Sequence, residues 1–368
     1  MPRHIDLDEI LTDLAALVNT ESPSRDLTAL DTSASVLSNI IEKRLGSAPA
    51  IRQSDAGPHV HWIGGGDPAV LLVGHHDTVF PAGTLERRPF QVDSGRVFGP
   101  GVFDMKAGIV QAIHAVASLH DLSQVEIFVS ADEEVGSGTS KDFIIERARA
   151  CGAALVLEPS ADGGALKSAR KGTGTYELIV HGRASHAGLE PEKGVNALVE
   201  AASQVLRIAT FGDPRKGTTV TPTVAVVGTA DNVVPARARI LIDVRAEDPN
   251  ESARVDEAMK GLQPHIPGAE LELLGGFNRP PMPASASTQL LHIAESVALD
   301  LRLGEISAVA VGGGSDGNFT AAAGVPTLDG LGAVGGGAHA DHEWVDATAM
   351  VDRARLLAGL IERICSTG

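Results

Sequence analysis

Three short apolar runs, at residues 69–73, 125–129 and 153–157, each lead directly into side chains able to bind metal or move protons. Apolar runs without alternation read as buried parallel strands rather than strands with one wet face. The first runs into Gly74, His75, His76, Asp77 and Thr78, the second into Ser130, Ala131, Asp132, Glu133 and Glu134, and the third into Glu158 and Pro159. Helical patterns surround them. An amphipathic helix is predicted from about residue 8 to 19, with Ile10, Leu11, Leu14 and Leu17 on one face, and a second from about 27 to 45 after the Ser22-Pro23-Ser24 turn. A third follows Asp104, where Ile109, Ala112, Ile113 and Val116 recur at helical spacing. This alternation predicts an α/β domain with a mostly parallel sheet. Ligands of such sheets bind beyond the carboxyl ends of the strands, which is where these His, Asp and Glu residues fall.

The pattern changes near Lys171. Residues 176–181 partly alternate, as a strand with one wet face should. A helix is predicted from about 195 to 210, carrying Leu198, Ala201, Ala202, Val205 and Leu206, then strands at 221–227 and 238–244 and a charged helix at 249–262. These elements predict a smaller α+β module at 172–281, inserted between two parts of the first domain, 1–171 and 282–368. The Pro-rich stretch Arg279-Pro280-Pro281-Met282-Pro283 serves as a return linker in this reading. The run at 308–311 and the following Gly312-Gly313-Gly314-Ser315-Asp316 resume the strand-then-glycine-loop style of the first part.

Composition narrows the function. A chain of 368 residues suffices for two domains. A net charge of −17, with basic residues adjoining only in pairs, sets nucleic acid aside as a partner. Cys151 and Cys365 form neither a CxxC pair nor a disulfide framework, which fits a reducing compartment. The first residues lack the unbroken apolar stretch of a signal peptide, and no window approaches the roughly 18 apolar residues of a membrane span. A cytoplasmic protein with no membrane partner is expected.

Residues i and i+2 of a strand share a face, so His75 and Asp77 project together while His76 points away. That makes His75 a candidate metal ligand and Asp77 the group that orients its ring. Asp104 precedes a helix, where aspartate is an ordinary N-cap, but its two oxygens could equally bridge two metals. Of the adjacent Glu133 and Glu134, one can bind metal while the other takes a proton from an activated water. Glu158 follows a buried strand, where an unpaired carboxylate is costly and a ligand role resolves the cost. Either His339 or His342 could complete the set, and physics alone does not choose between them. Two histidines with three carboxylates suit two zinc ions, or manganese or cobalt in their place.

Taken in order, these segments resemble the metallopeptidase family that includes glutamate carboxypeptidase, acetylornithine deacetylase, succinyl-diaminopimelate desuccinylase and aminoacylase. The resemblance covers nearly the whole chain. It implies a two-zinc catalytic domain with an inserted lid domain that also serves for homodimerisation. On that match His75 and Glu158 hold one metal, Glu134 and His339 the other, Asp104 bridges them, Asp77 supports His75, and Glu133 is the general base. It favours His339 over His342, because the family's ligand histidine stands a few residues before a glutamate, here Glu343. His186 resembles the lid histidine that steadies the oxyanion, commonly from the partner subunit. Asn232 and Arg245 resemble residues gripping the substrate's free carboxylate, a task a planar guanidinium suits. A salt bridge of Arg245 with Asp243 or Glu247 is the plainer alternative, and Asn232 could be a turn residue. Gly313 and Gly314 could assist through backbone N–H groups. The chain departs from the family in Gly99-Pro100-Gly101, where relatives often carry Gly-Arg-Gly, and in Met105-Lys106-Ala107-Gly108, where Met-Lys-Gly-Gly is usual. Neither departure removes a ligand.

The expectation is therefore a hydrolase of amide bonds next to a free carboxylate, acting on a small peptide. Glu158, Asn232 and Arg245 look most like the glutamate carboxypeptidase branch. A deacylase of N-acyl amino acids is the alternative, and an inactive binding relative is disfavoured because no ligand position is lost.

Overall fold

The apolar runs, the second of them interrupted by Glu126, become the middle of a six-stranded sheet in the computed structural model, which describes residues 3–367. The strand order is Ala50–Arg52, His59–Ile63, Val125–Ser130, Val70–His75, Ala154–Val156 and Thr327–Leu328. The last four strands pair in parallel and the first two join antiparallel at one edge. All six residues of Val70–His75 are buried because both faces of the sheet are covered. Val70 and Leu72 join a core with Leu14, Leu37, Ile113 and Leu357 from four helices, while Leu71 and Val73 join Ile144, Ala148 and Val325 on the opposite face. Two covered faces remove the need for a polar alternate residue, which is why the period of two is missing.

This sheet belongs to a unit made of the chain up to Ala169, Pro283–Val311 and the part from Ser315 onward. Its helices begin and end on local signals. Asp6 caps the Leu7–Val18 helix by accepting from the backbone of Asp8 at 2.8 Å. Asp26 caps Leu27–Leu45, which stops at Gly46 with φ of 80°. The Ala107–Ala117 helix lies hard against a strand end: a Cβ on Gly108 would come within 2.2 Å of the Leu157 carbonyl oxygen. Gly108→Ala is expected to destabilise the protein by about 1–3 kcal/mol, read as a lower urea midpoint. An unchanged midpoint would show that this helix has room to move.

The second unit comprises Arg170–Met282 and Gly312–Gly314. Its four strands are antiparallel, in the order Thr219–Val227, Arg237–Ala246, Gly172–His181 and Glu270–Arg279. The helices Ala197–Ile208 and Pro249–Lys260 pack Ala197, Ala201, Ile208, Val255 and Met259 against Leu178, Val180, Ile240, Ile242 and Val244. Asn196 caps the first of them, accepting from the backbone of Leu198 at 3.0 Å and of Val199 at 3.2 Å.

Three features differ from the expectation. The sheet of the second unit has a fourth strand, Glu270–Arg279, whose sequence signal is broken by Gly275 and Gly276. The Pro-rich stretch after it is not a free linker, since Met282 and Arg170 exchange two backbone hydrogen bonds of 2.9 Å. Ala308–Val311 pairs with Leu166–Arg170 in a separate two-stranded sheet, and the short Thr327–Leu328 takes the edge of the main sheet instead. Among the described residues, no helix is long and apolar enough to cross a membrane.

Candidate metal centre

His75 is the last residue of its strand and is 1% exposed. Its Nδ1 lies 3.0 Å from the backbone carbonyl of Asp77 and 3.5 Å from that residue's carboxylate. A neutral ring therefore has its proton on Nδ1, and Nε2 faces the carboxylates of Asp104 and Glu158. Asp77 thus meets His75 chiefly through its carbonyl. Its buried carboxylate has a second task, accepting the Ser24 hydroxyl at 2.8 Å and the backbone N–H groups of Glu133 and Glu134 at 3.2 and 3.3 Å. One side chain thus fixes the turn on which both glutamates stand. His76 turns away, its ring nitrogens 3.1 Å from Ser33 Oγ and 3.0 Å from the Pro58 carbonyl, and burial pushes it down to about 4.

Asp104 sits between two imidazoles, Oδ1 3.3 Å from His75 Nε2 and Oδ2 3.3 Å from His339 Nε2. Glu158 Oε1 is 3.6 Å from the same atom of His75, and Glu134 Oε2 is 3.2 Å from His339 Nε2. His75, Asp104 and Glu158 form one group of three potential ligands, and Asp104, Glu134 and His339 a second, each with its ligand atoms within 4.8 Å of one another. His339, and not His342, is the histidine in this cluster.

The carboxylates favour positive charge at this site. Hydrogen bonding to the carboxylates of Asp104 and Glu134 raises His339 to about 10. Burial alone would lower His75, yet Asp104, Asp77 and Glu158 hold it well above the usual histidine range. Burial alone would raise Asp104, but contact with His339 and His75 keeps it far below. Burial raises Glu134. Asp104 Oδ1 and Glu134 Oε1 are buried with no hydrogen-bond partner among the described residues, an arrangement that is costly unless a cation occupies the site. The spacing also fits one. Four ligands at 2.0–2.2 Å in a tetrahedron stand about 3.3–3.6 Å apart, longer than an ordinary hydrogen bond.

One contributor was not foreseen as such. Glu343, 0% exposed, accepts from the backbone of Gly101, Phe103 and Asp104, each at 2.9 Å. Burial pushes its carboxyl up to about 7 against the pull of those three donors. Lys106, also buried, donates from Nζ to the carbonyls of Thr20 at 2.8 Å and Leu17 at 3.2 Å, anchoring the far end of the same loop. Glu343 had served only to mark His339, and its contacts span about 240 positions of sequence.

The remaining candidates lie in the second unit. The exposed ring of His186 accepts from the backbone of Gly188 and Leu189 at Nδ1, both at 3.1 Å, so the neutral ring holds its proton on Nε2. Val233 bridges to His186, and the Asn232 carbonyl accepts from Ala187 at 2.9 Å, which makes His186 and Asn232 neighbours. Arg245 pairs with Asp243, Nη2 to Oδ2 at 2.8 Å. Arg170 donates to the carbonyls of Gly313 and Gly314 at 3.1 and 3.3 Å. The strand register separates these groups. His186 and Asn232 flank the end where Arg237 pairs with His181, whereas Arg245 pairs with Thr173, next to Gly314, at the other end. Eight residues of strand span roughly 26 Å, so one chain cannot bring Asn232 and Arg245 to the same carboxylate.

Carboxypeptidase G2 of Pseudomonas sp. (strain RS-16) is 35% identical to this chain over 312 residues, covering 81% of it and 74% of the relative. Succinyl-diaminopimelate desuccinylase of Wolinella succinogenes is 26% identical over 275 residues, with 70% and 74% covered. Among solved structures, aminopeptidase PepT from Bacillus cereus shares the fold with a TM-score of 0.76 at 21% identity, covering 98% of this chain and 99% of that one. Residues 71–363 match peptidase family M20/M25/M40, a span that runs from the His75 strand past the His339 loop, and the chain belongs to that family.

Proposed function

We propose that this hydrolase is a two-metal exopeptidase, cleaving an amide bond next to a free carboxylate in the manner of a glutamate carboxypeptidase. The observation that carries the reading is the pair of three-residue groups sharing Asp104, with nitrogen–oxygen separations of 3.2 to 3.6 Å. Zinc suits the donor set best, with manganese or cobalt as substitutes. Similarity to carboxypeptidase G2 supports the carboxypeptidase branch. Similarity to desuccinylases supports the second reading, an N-acyl amino acid deacylase, which uses the same chemistry.

When bound, the ions supply Lewis acidity for the scissile carbonyl and bring the pKa of the attacking water toward about 7. Glu133 takes the proton of that water and returns it to the departing amine. Asp77 keeps the Glu133 backbone in place. His186 donates its Nε2–H to the developing oxyanion. Arg245 exchanges Asp243 for the substrate carboxylate, assisted by the N–H groups of Gly313 and Gly314, while Asn232 steadies the other side.

The separation of His186 and Asn232 from Arg245 supports a homodimer in which the partner subunit completes each site. The second unit offers an apolar surface for it: Leu198, Val199 and Leu206 on one helix are 50%, 52% and 74% exposed, and Val224 and Val226 on the edge strand 44% and 60%. Leu206→Glu is expected to shift the sedimentation coefficient from dimer to monomer, and a dimer unchanged by it would place the interface elsewhere. Cys151 and Cys365 are free thiols, in keeping with a cytoplasmic setting.

The reading is tested with zinc-loaded protein on peptides and folate-like conjugates ending in Glu, alongside N-acyl amino acids. Release of the C-terminal amino acid, abolished by chelation and restored by zinc, is expected. Protein that binds no divalent ion and turns over no member of the panel would overturn it.

A further inference from the structure

The strand Trp344–Asp346 pairs antiparallel with Arg96–Phe98, Trp344 opposite Phe98. Glu343 therefore enters this ribbon at the point where Gly99 leaves it. Two ligand-bearing loops emerge together there, one carrying His339 and the other Asp104. The first closes the hairpin of Gly335–Gly336 with Trp344–Asp346, while the second has a strand on one side only and runs on into the Ala107–Ala117 helix. In the first, His339 itself adopts φ of 62°, uncommon for a residue with a side chain. The turn around it is closed by Ala340 donating to Gly337 at 2.9 Å and Glu343 donating to Ala340 at 3.1 Å. In the second, Gly99 and Gly101 have φ of 149° and 72°, and Asp104 breaks helical geometry with φ of −115° and ψ of 93°. The buried Glu343 carboxylate crosses from one loop to the other, Oε2 accepting from Gly101 and Oε1 from Phe103 and Asp104, all at 2.9 Å. His75 differs, since its place is set by the parallel ladder, opposite Ser130.

We infer that Glu343 is a positioning residue that sets the spacing of Asp104 from His339, and so controls the Asp104–Glu134–His339 group more strongly than the His75–Asp104–Glu158 group. The inference rests on the two-metal reading above. A carboxylate suits the task because three N–H donors converge on it, and each charge-assisted bond is short and directional. Glutamine keeps the shape and one acceptor. With its oxygen toward Phe103 and Asp104, its amide nitrogen faces the Gly101 N–H, and one of the three bonds is lost. Alanine loses all three.

The test is zinc titration of wild type, Glu343→Gln and Glu343→Ala against a chromophoric chelator, with visible spectra of the cobalt-loaded proteins and melting of the metal-free forms. Wild type is expected to take up two ions. In Glu343→Ala one of the two equivalents should lose about 10- to 100-fold in affinity while the other changes much less, with glutamine in between. The cobalt spectrum of the affected equivalent should shift in the same order. The ratio of the two affinities is the decisive quantity, because general destabilisation would not alter it. Should the alanine variant fail to fold, the glutamine variant carries the comparison. Two affinities that fall in equal proportion, or stay at wild-type values, overturn the role of Glu343 and leave the two-metal reading standing. Wild-type protein that binds no ion overturns that reading and this one with it.

Discussion

Glu133→Gln is expected to lower kcat by about 100- to 10,000-fold while the protein keeps its full complement of metal. The expectation follows from where Glu133 stands. It opens the short turn Glu133–Val135 at the end of the Val125–Ser130 strand, and its backbone N–H is bound by Asp77. It belongs to neither group of potential ligands, although its neighbour Glu134 does. Glutamine preserves the volume and the backbone tie to Asp77 but cannot accept a proton from water near neutral pH. Binding and polarisation of the substrate should survive, so KM should move far less than kcat. Steady-state kinetics together with metal content decide the matter. Unimpaired turnover would remove Glu133 from proton transfer, and loss of an ion would make it a ligand.

The strand-end chemistry was legible because burial on both faces writes a largely apolar run without alternation, and a polar residue that follows such a run has few roles open to it. His75, Glu133, Glu134 and Glu158 all stand in that position. His339 and His342 share one glycine-rich loop and have the same local signals. What separates them is contact with Asp104 and Glu134, far away in sequence. Glu343 was invisible for a similar reason, since its three donors come from a loop whose local sequence says nothing about what it meets. Asp77 was half legible. Spacing placed it beside His75, but its grip on the Glu133–Glu134 turn arises from a strand paired through the fold. The edge strand Glu270–Arg279 was obscured by exposure and by two glycines, one of which, Gly275, packs so closely that a Cβ would come within 2.2 Å of the Thr175 carbonyl oxygen. The register of Arg237–Ala246 bears most directly on function, because it parts Asn232 from Arg245 along the strand.

Stability should depend on one buried ion pair in the first unit, and acid should reveal it. Glu126 interrupts the apolar strand Val125–Ser130 yet is 0% exposed. Arg147, from the helix Lys141–Cys151, binds it with two bonds, Nε to Oε1 at 2.7 Å and Nη2 to Oε2 at 2.8 Å. His61 on the adjacent strand stands 2.6 Å from Oε1. Burial would raise the Glu126 carboxyl, but His61 and Arg147 hold it down to about 2 from an ordinary 4.5. Removing one member of such a pair leaves its partners without compensation, and Glu126→Gln should cost about 3 kcal/mol at neutral pH, toward the low end for buried pairs because Arg147 retains some access to water. The sign of the pH dependence follows from the lowered pKa. The contribution of Glu126 is complete above about 4.5 and is lost progressively as the pH falls through about 2. Urea unfolding of both proteins at pH 7 and near pH 3 tests this: the gap between them should narrow in acid, because the wild type loses what the variant never had. A gap that stays constant or widens would mean that Glu126 acts through packing rather than charge.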